Sequence, residues 1–173
     1  MGEGMISLIK KITRNLEKKR WNKYRNLSIG DNTHVELDNL DGITPQLVVI
    51  GRNCVFAPKS VVLTHDACLL PYSDKYVFRE TRIDDNVFVG YGAVILPGIK
   101  VESNVVIGAN SVVTKDVAEG LVVAGNPAKI ICTTKELYEK KEEFLSEVSF
   151  NWKRPITNRE IYKQQKTMGL HDE

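Results

Sequence analysis

The sequence is short of most features that mark membrane, nucleic-acid-binding or disulfide-rich proteins. Its 173 residues include three cysteines, Cys54, Cys68 and Cys132. That number is odd and the spacing matches no metal-ligand pattern, so neither a disulfide framework nor a zinc site is indicated and a reducing compartment fits. No run approaches the roughly 20 apolar residues of a membrane span. The N-terminus is basic but has no apolar stretch with a cleavage site behind it, so an unexported, cytoplasmic protein is expected. Lysine and arginine number 24 against 22 acidic residues, a formal net charge of +2 that gives no global pull on nucleic acid. Histidine is scarce too: only His34, His65 and His171 are present. The length suits one domain with short appendages.

What the chain does have is an aliphatic residue at every sixth position. Ile83, Val89, Ile95, Val101, Ile107 and Val113 fall in unbroken register, and Ile50, Phe56 and Val62 keep the same step upstream. A helix would repeat every 3.6 residues and a strand every 2, whereas a step of six requires a backbone that turns a corner every six residues. A parallel β-helix with three short faces per coil does this, and its stacked coils bury the aliphatics in one continuous core. Between them lie Gly30, Asn32, Asn53, Asn86, Gly92, Gly98, Asn104 and Asn110. Glycine and asparagine adopt positive φ most cheaply, as tight corners demand. Cys54, Ser60, Ala93 and Ser111 precede inward aliphatics by two positions and are small enough for close stacking, so Cys54 reads as a core residue.

The repeat begins weakly at Ile29 and Val35, is disturbed by the polar stretch 38–42, and resumes at Ile50. From Val62 to Ile83 the gap is 21 residues, read as one full coil of 18 plus three, with residues 66–80 pushed outward as a loop. Upstream, Met5, Leu8, Ile9, Ile12 and Leu16 have helical spacing among basic residues. Two roles are open for this segment: lying on an anionic membrane surface, or capping the first coil as a solvated helix. Downstream, Thr133 and Glu136 have the spacing of a capping box, which predicts a helix over 134–148. The expected organisation is therefore a basic N-terminal helix over 1–28, a β-helix over 29–131, and a C-terminal helix and tail over 132–173.

Several segments together resemble the hexapeptide-repeat acyltransferases: 50–58, Thr64-His65-Asp66, Leu96-Pro97-Gly98, 106–116 and 124–129. The similarity is strongest to the branch containing the maltose, galactoside and serine O-acetyltransferases and the O-acetyltransferases of surface-polysaccharide synthesis. It implies a left-handed parallel β-helix, assembly as a homotrimer with active sites between subunits, and acetyl-CoA as co-substrate. It also implies a hydroxyl acceptor, most readily on a sugar.

His65 is the one histidine inside the well-formed repeat beside the loop. From residue chemistry it is either a general base, since imidazole titrates near neutrality, or a loop histidine bonded to a carbonyl. The resemblance implies the base. Asp66 is open to three roles: orienting the imidazole, holding the acceptor, or forming a turn. Gly90 and Tyr91 are implied to contact acyl-CoA through their backbone, although glycines there also serve as corners. Ala109 and Thr114 are implied pantetheine contacts, and Lys115 and Lys129 implied phosphate contacts, where solvated surface lysines are the alternative. The family often has a second basic residue three positions beyond Lys129, where this chain has Cys132. Asp38, Asn39 and Asp41 are candidates for sugar hydroxyls or members of a solvated turn. No metal is expected, because a three-histidine site of the γ-carbonic-anhydrase type would need His171 from the tail. A non-catalytic scaffold and N-acetylation of an amino sugar are the remaining alternatives.

Overall fold

A computed structural model describes residues 27–144. Residues 1–26 of the expected N-terminal helix, and residues 145–173 of the expected C-terminal helix and tail, lie outside the described residues, whereas Ser28 belongs to a strand. The described part is mainly β, and its strands are the six-residue steps made visible. β1 (Ser28–Ile29) opens the first coil. β2 (Val48–Ile50), β3 (Val55–Phe56) and β4 (Val61–Val62) form the second coil, and a ribbon of β5 (His65–Asp66) and β6 (Val77–Phe78) leaves it. A four-residue helix, α1 (Leu70–Ser73), lies within that excursion. The third coil is β7 (Thr81–Ile83), β8 (Phe88–Val89) and β9 (Val94–Ile95); the fourth is β10 (Lys100–Val101), β11 (Val106–Ile107) and β12 (Val112–Val113).

Parallel pairing stacks the coils into three faces, ordered β1-β2-β7-β10, β3-β8-β11 and β4-β9-β12. The register superposes the aliphatics: Ile50 on Ile83 on Val101, Phe56 on Val89 on Ile107, and Val62 on Ile95 on Val113. All of these side chains are buried. Cys54, Ser60, Ala93 and Ser111 are also buried, and burial pushes the Cys54 thiol pKa up, as expected of a core cysteine. Outward positions differ by face. The first face shows Ser28, Val49, Arg82 and Lys100; the second shows Val55, Phe88 and Val106; the third shows Val61, Val94 and Val112.

Corner chemistry holds the stack together. Asn32, Asn53, Asn86 and Asn104 all adopt positive φ, between 57° and 61°. Each amide bonds to the next in a ladder that ends at Glu119 (2.9–3.1 Å). Gly90 is required for a different reason, since a Cβ there would stand 2.6 Å from the Ala109 nitrogen of the coil above.

Three findings depart from the sequence reading. Ile83 stacks on Ile50, 33 residues earlier, where a plain coil takes 18, so the insertion is the whole 15-residue loop and not three residues. The step from Val62 to Ile83 advances by one face, not by a full coil. The polar stretch 38–42 does not interrupt the winding, because Leu40 bridges to Val62 and completes the first coil. After β13 (Leu121–Ala124), the chain reverses into β14 (Lys129–Thr133), an antiparallel strand that the repeat did not foretell.

The β-helical coils lie in a compact unit ending at Glu136, and a second unit begins at Leu137. Thr133 and Glu136 form the capping box: Glu136 Oε2 accepts from the Thr133 amide (2.7 Å), and Thr133 Oγ1 accepts from the Glu136 amide (3.2 Å). Within the described residues the helix α2 (Thr134–Lys141) passes into a 3-10 turn over Glu142–Phe144.

Candidate functional site

Two enlarged corners lie one above the other. The first coil leaves Leu40 through residues 41–47, and the second leaves Val62 through the loop 66–80. Because Leu40 and Val62 share a stacked inward position, Asp41 stands beneath Thr64 and His65. Its side chain is fully buried, and its carboxylate collects five donors. Oδ1 accepts from the Ile43 and Thr44 amides (2.8 and 3.0 Å). Oδ2 accepts from the Thr64 and His65 amides (2.8 and 3.2 Å) and lies 2.6 Å from His65 Nδ1. Burial alone would raise the Asp41 pKa, but the amides of Thr44, Thr64 and Ile43 and the His65 ring outweigh it and hold the group well below the ordinary carboxylate range. An ionised acceptor on Nδ1 fixes the tautomer that keeps a proton there and turns the Nε2 lone pair outward. The His65 side chain is 20% exposed.

The loop leaves and returns at one place. Arg79 N–H donates to Thr64 O (2.8 Å), and Thr81 Oγ1–H donates to Leu63 O (2.6 Å). Antiparallel pairing sets His65 opposite Phe78 and Asp66 opposite Val77. Side chains alternate along a strand, so the ribbon has two faces. His65, Tyr76 and Phe78 share one; Asp66, Val77 and Arg79 share the other and line a groove of about 600 Å³ with Pro97, Gly98 and Lys115. Arg79 lies across Gly98, where a Cβ would approach its Cδ to 2.6 Å.

The structure separates the site residues read from the sequence. Thr114 and Lys115 line this groove and also a second one of about 400 Å³, in which Lys129 takes part. Neither Lys115 nor Lys129 forms an ion pair among the described residues. Gly90, Tyr91 and Ala109 belong to a different corner, between the second and third faces. The Gly90 N–H is already committed to Ile107 O (2.9 Å), which removes it as a donor to a reacting oxygen. Lys59 Nζ sits 5.4 Å from the centre of the Tyr91 ring.

Three assignments change. Asp66 accepts from the Cys68 amide (2.7 Å), a turn, and its alternation directs it away from the imidazole face; Asp41 orients the ring instead. Asn39 is buried, with its amide donating to Ser60 O (2.9 Å) and its oxygen accepting from the Glu36 amide (2.8 Å), so it locks a corner and has no capacity for a sugar. Asp41 is buried, which fits neither a solvated turn nor a contact to sugar hydroxyls. Asp38 stays exposed on the 3-10 turn Leu37–Asn39. Arg79 was missed altogether. Asp41 was within reach of the sequence: placing Leu40 in the inward ladder, 22 residues before Val62, sets the next residue below the start of the loop.

Residues 80–115 match the family model described as bacterial transferase hexapeptide (six repeats). The chain is 32% identical over 100 residues to a Bacillus subtilis protein named "Putative acetyltransferase YvoF", a match covering 58% of this chain and 56% of that one. It is 47% identical over 66 residues to the 2,3,4,5-tetrahydropyridine-2,6-dicarboxylate N-acetyltransferase of Clostridium perfringens, covering 38% of this chain and 28% of that enzyme. The chain thus spans about half the length of the first relative and less of the second. Among solved structures, a maltose O-acetyltransferase from Clostridium difficile superposes with a TM-score of 0.55 at 28% identity, over 73% of this chain and 84% of that one. The stacked coils and the repeat matched over residues 80–115 make the chain similar, in sequence and in fold, to hexapeptide-repeat acetyltransferases.

Proposed function

We propose that this chain is an acetyl-CoA-dependent O-acetyltransferase, with His65 as general base for a hydroxyl of a sugar or saccharide. The observation that carries the reading is the buried Asp41 carboxylate 2.6 Å from His65 Nδ1, which holds a proton on that nitrogen and leaves Nε2 as the proton acceptor. The co-substrate supplies an acyl group already activated as a thioester. His65 takes the hydroxyl proton as the oxygen attacks the thioester carbonyl, and returns it to the departing thiolate. Asp41 stays ionised throughout and stabilises the imidazolium formed between these steps.

The residues present fit such a co-substrate. The wall of Thr114 and Lys115 lies between two grooves, and Lys115 and Lys129 offer ammonium groups to phosphate oxygens. Gly90, Tyr91 and Ala109 sit at another corner, and this supports a left-handed β-helical homotrimer in which that corner of one copy faces His65 of its neighbour. The outward Val and Phe ladders of two faces favour the same assembly, because contiguous apolar surface of that kind is what subunit interfaces cover. A cytoplasmic setting, with free thiols and acetyl-CoA available, completes the reading.

N-acetylation is the second reading, favoured by the likeness to the Clostridium perfringens N-acetyltransferase, with the amine of an amino sugar as the acceptor it would take here. The test is thiol release from acetyl-CoA with a panel of neutral and amino sugars, with mass analysis of the product, for wild type and His65→Ala. Turnover should fall by about 10² to 10⁴ in the variant while acetyl-CoA binding is retained. Near-normal turnover would remove His65 from the mechanism, and an N-linked product would select the second reading.

A further inference from the structure

The ribbon holds a flat apolar surface beside the imidazole that neither the core nor the proton transfer uses. His65 pairs directly with Phe78, and alternation brings Tyr76 to the same side. The Tyr76 and Phe78 rings are stacked, with centroids 5.7 Å apart and planes 18° from parallel. The Tyr76 centroid is 6.1 Å from that of His65. Yet Tyr76 is 42% exposed and Phe78 49% exposed. Leaving two aromatic rings in water forgoes much of the stabilisation their burial would bring, so the fold gains little from placing them there. The proton acceptor lies at the edge of this surface.

We infer that Tyr76 and Phe78 are the acceptor platform, and that they select a pyranose ring. A pyranose carries its hydroxyls around the rim and exposes C–H groups on a face. Those C–H hydrogens are slightly positive, and the face of an aromatic ring is negative. With the sugar face lying on the two rings, a rim hydroxyl projects sideways toward His65 Nε2. An acyclic polyol has the same hydroxyls but no such face. The inference rests on the reading of His65 as general base, and it adds the substrate class and two specificity-determining residues. Asp66 and Arg79 lie on the opposite side of the ribbon, and Glu80, next on the aromatic side, is paired with Arg82 at 2.6 Å, so the two rings offer an apolar face that suits a neutral ring.

The test uses the full chain with methyl β-D-glucopyranoside, methyl β-D-galactopyranoside and methyl α-D-mannopyranoside as pyranoses and sorbitol as the acyclic control. Tyr76→Ala should raise the KM for the preferred pyranoside about 3- to 10-fold, the range an aromatic contact supplies. The KM for acetyl-CoA and the turnover of sorbitol should stay unchanged, and Tyr76→Phe or Tyr76→Trp should restore pyranoside affinity. A pyranoside KM within twofold of wild type, or a parallel rise for acetyl-CoA or sorbitol, overturns the platform. A second measurement is independent of acetyl transfer: saturation-transfer NMR of the same pyranosides without acetyl-CoA, on wild type, Tyr76→Ala and Phe78→Ala. Loss of pyranoside binding in the variants supports the platform even if no thiol is ever released, in which case the general-base reading falls alone. Binding that persists in both variants, or is absent from wild type, overturns it. A change in sedimenting mass on Tyr76→Ala with unaltered pyranoside affinity would also overturn it, by making the aromatic pair a contact between copies.

Discussion

Asp41 makes the histidine useful, and its effect is measurable in two ways. Asp41→Asn keeps the shape but replaces one acceptor oxygen with an NH2 group facing the Thr64 and His65 amides and the imidazole. The ring loses its fixed tautomer, and kcat should fall about 10- to 100-fold with the KM for acetyl-CoA nearly unchanged. The second effect is on stability. The folded state holds this carboxyl far below its ordinary value of 3.8, so between those two values the unfolded chain binds more protons than the native one. The stabilisation is therefore complete above the ordinary value and disappears as pH falls toward the native one. Urea unfolding should show wild type more stable than Asp41→Asn at pH 7, with the gap narrowing steadily from about pH 5 to pH 2.5. A gap independent of pH would mean that the carboxylate charge is not what Asp41 contributes.

At the scale of the element, a corner matters more than a strand, because each strand is only two or three residues long in the first four coils. The asparagine ladder supplies both a backbone conformation and a cross-coil hydrogen bond, and two substitutions separate them. Asn86→Ala keeps a Cβ at φ 59° but removes both amide contacts, and should lower the unfolding free energy by about 1–2 kcal/mol. Asn86→Gly loses the same bonds but also relieves the strain of a Cβ at this φ, and should lose less. Equal losses in urea midpoints would show that the ladder, not the left-handed conformation, is the stabilising part. The same logic explains why the loop is tolerated. Its ends are clamped by the Arg79 N–H to Thr64 and by the Thr81 hydroxyl to Leu63, so the coil closes as though the excursion were absent.

For the whole molecule, outward chemistry distinguishes the faces. Arg82 and Lys100 make the first face charged, whereas Val61, Val94 and Val112 stack along the third. If that valine ladder packs against another copy, Val94→Lys should reduce the sedimenting mass toward that of one chain and abolish turnover, while the circular dichroism of the coils persists. Arg82→Ser on the charged face should change neither. An unchanged mass for Val94→Lys would remove the third face from the assembly.

The sequence by itself determined the six-residue step, the buried ladder, the corner residues and the histidine, because a period of six leaves one way to bury every sixth aliphatic and asparagine and glycine mark the turns. The tertiary structure decided that Asp41, and not Asp66 or Asp38, is the carboxylate that serves that histidine, and which rings stand beside it. Asp41 and His65 are 24 residues apart and meet only because two enlarged corners are stacked. Tyr76 and Phe78 reach the imidazole only through the register of an antiparallel ribbon. A periodic pattern records what repeats along the core; the site is built from the two interruptions of that pattern, and their positions in space follow from how the coils lie on one another.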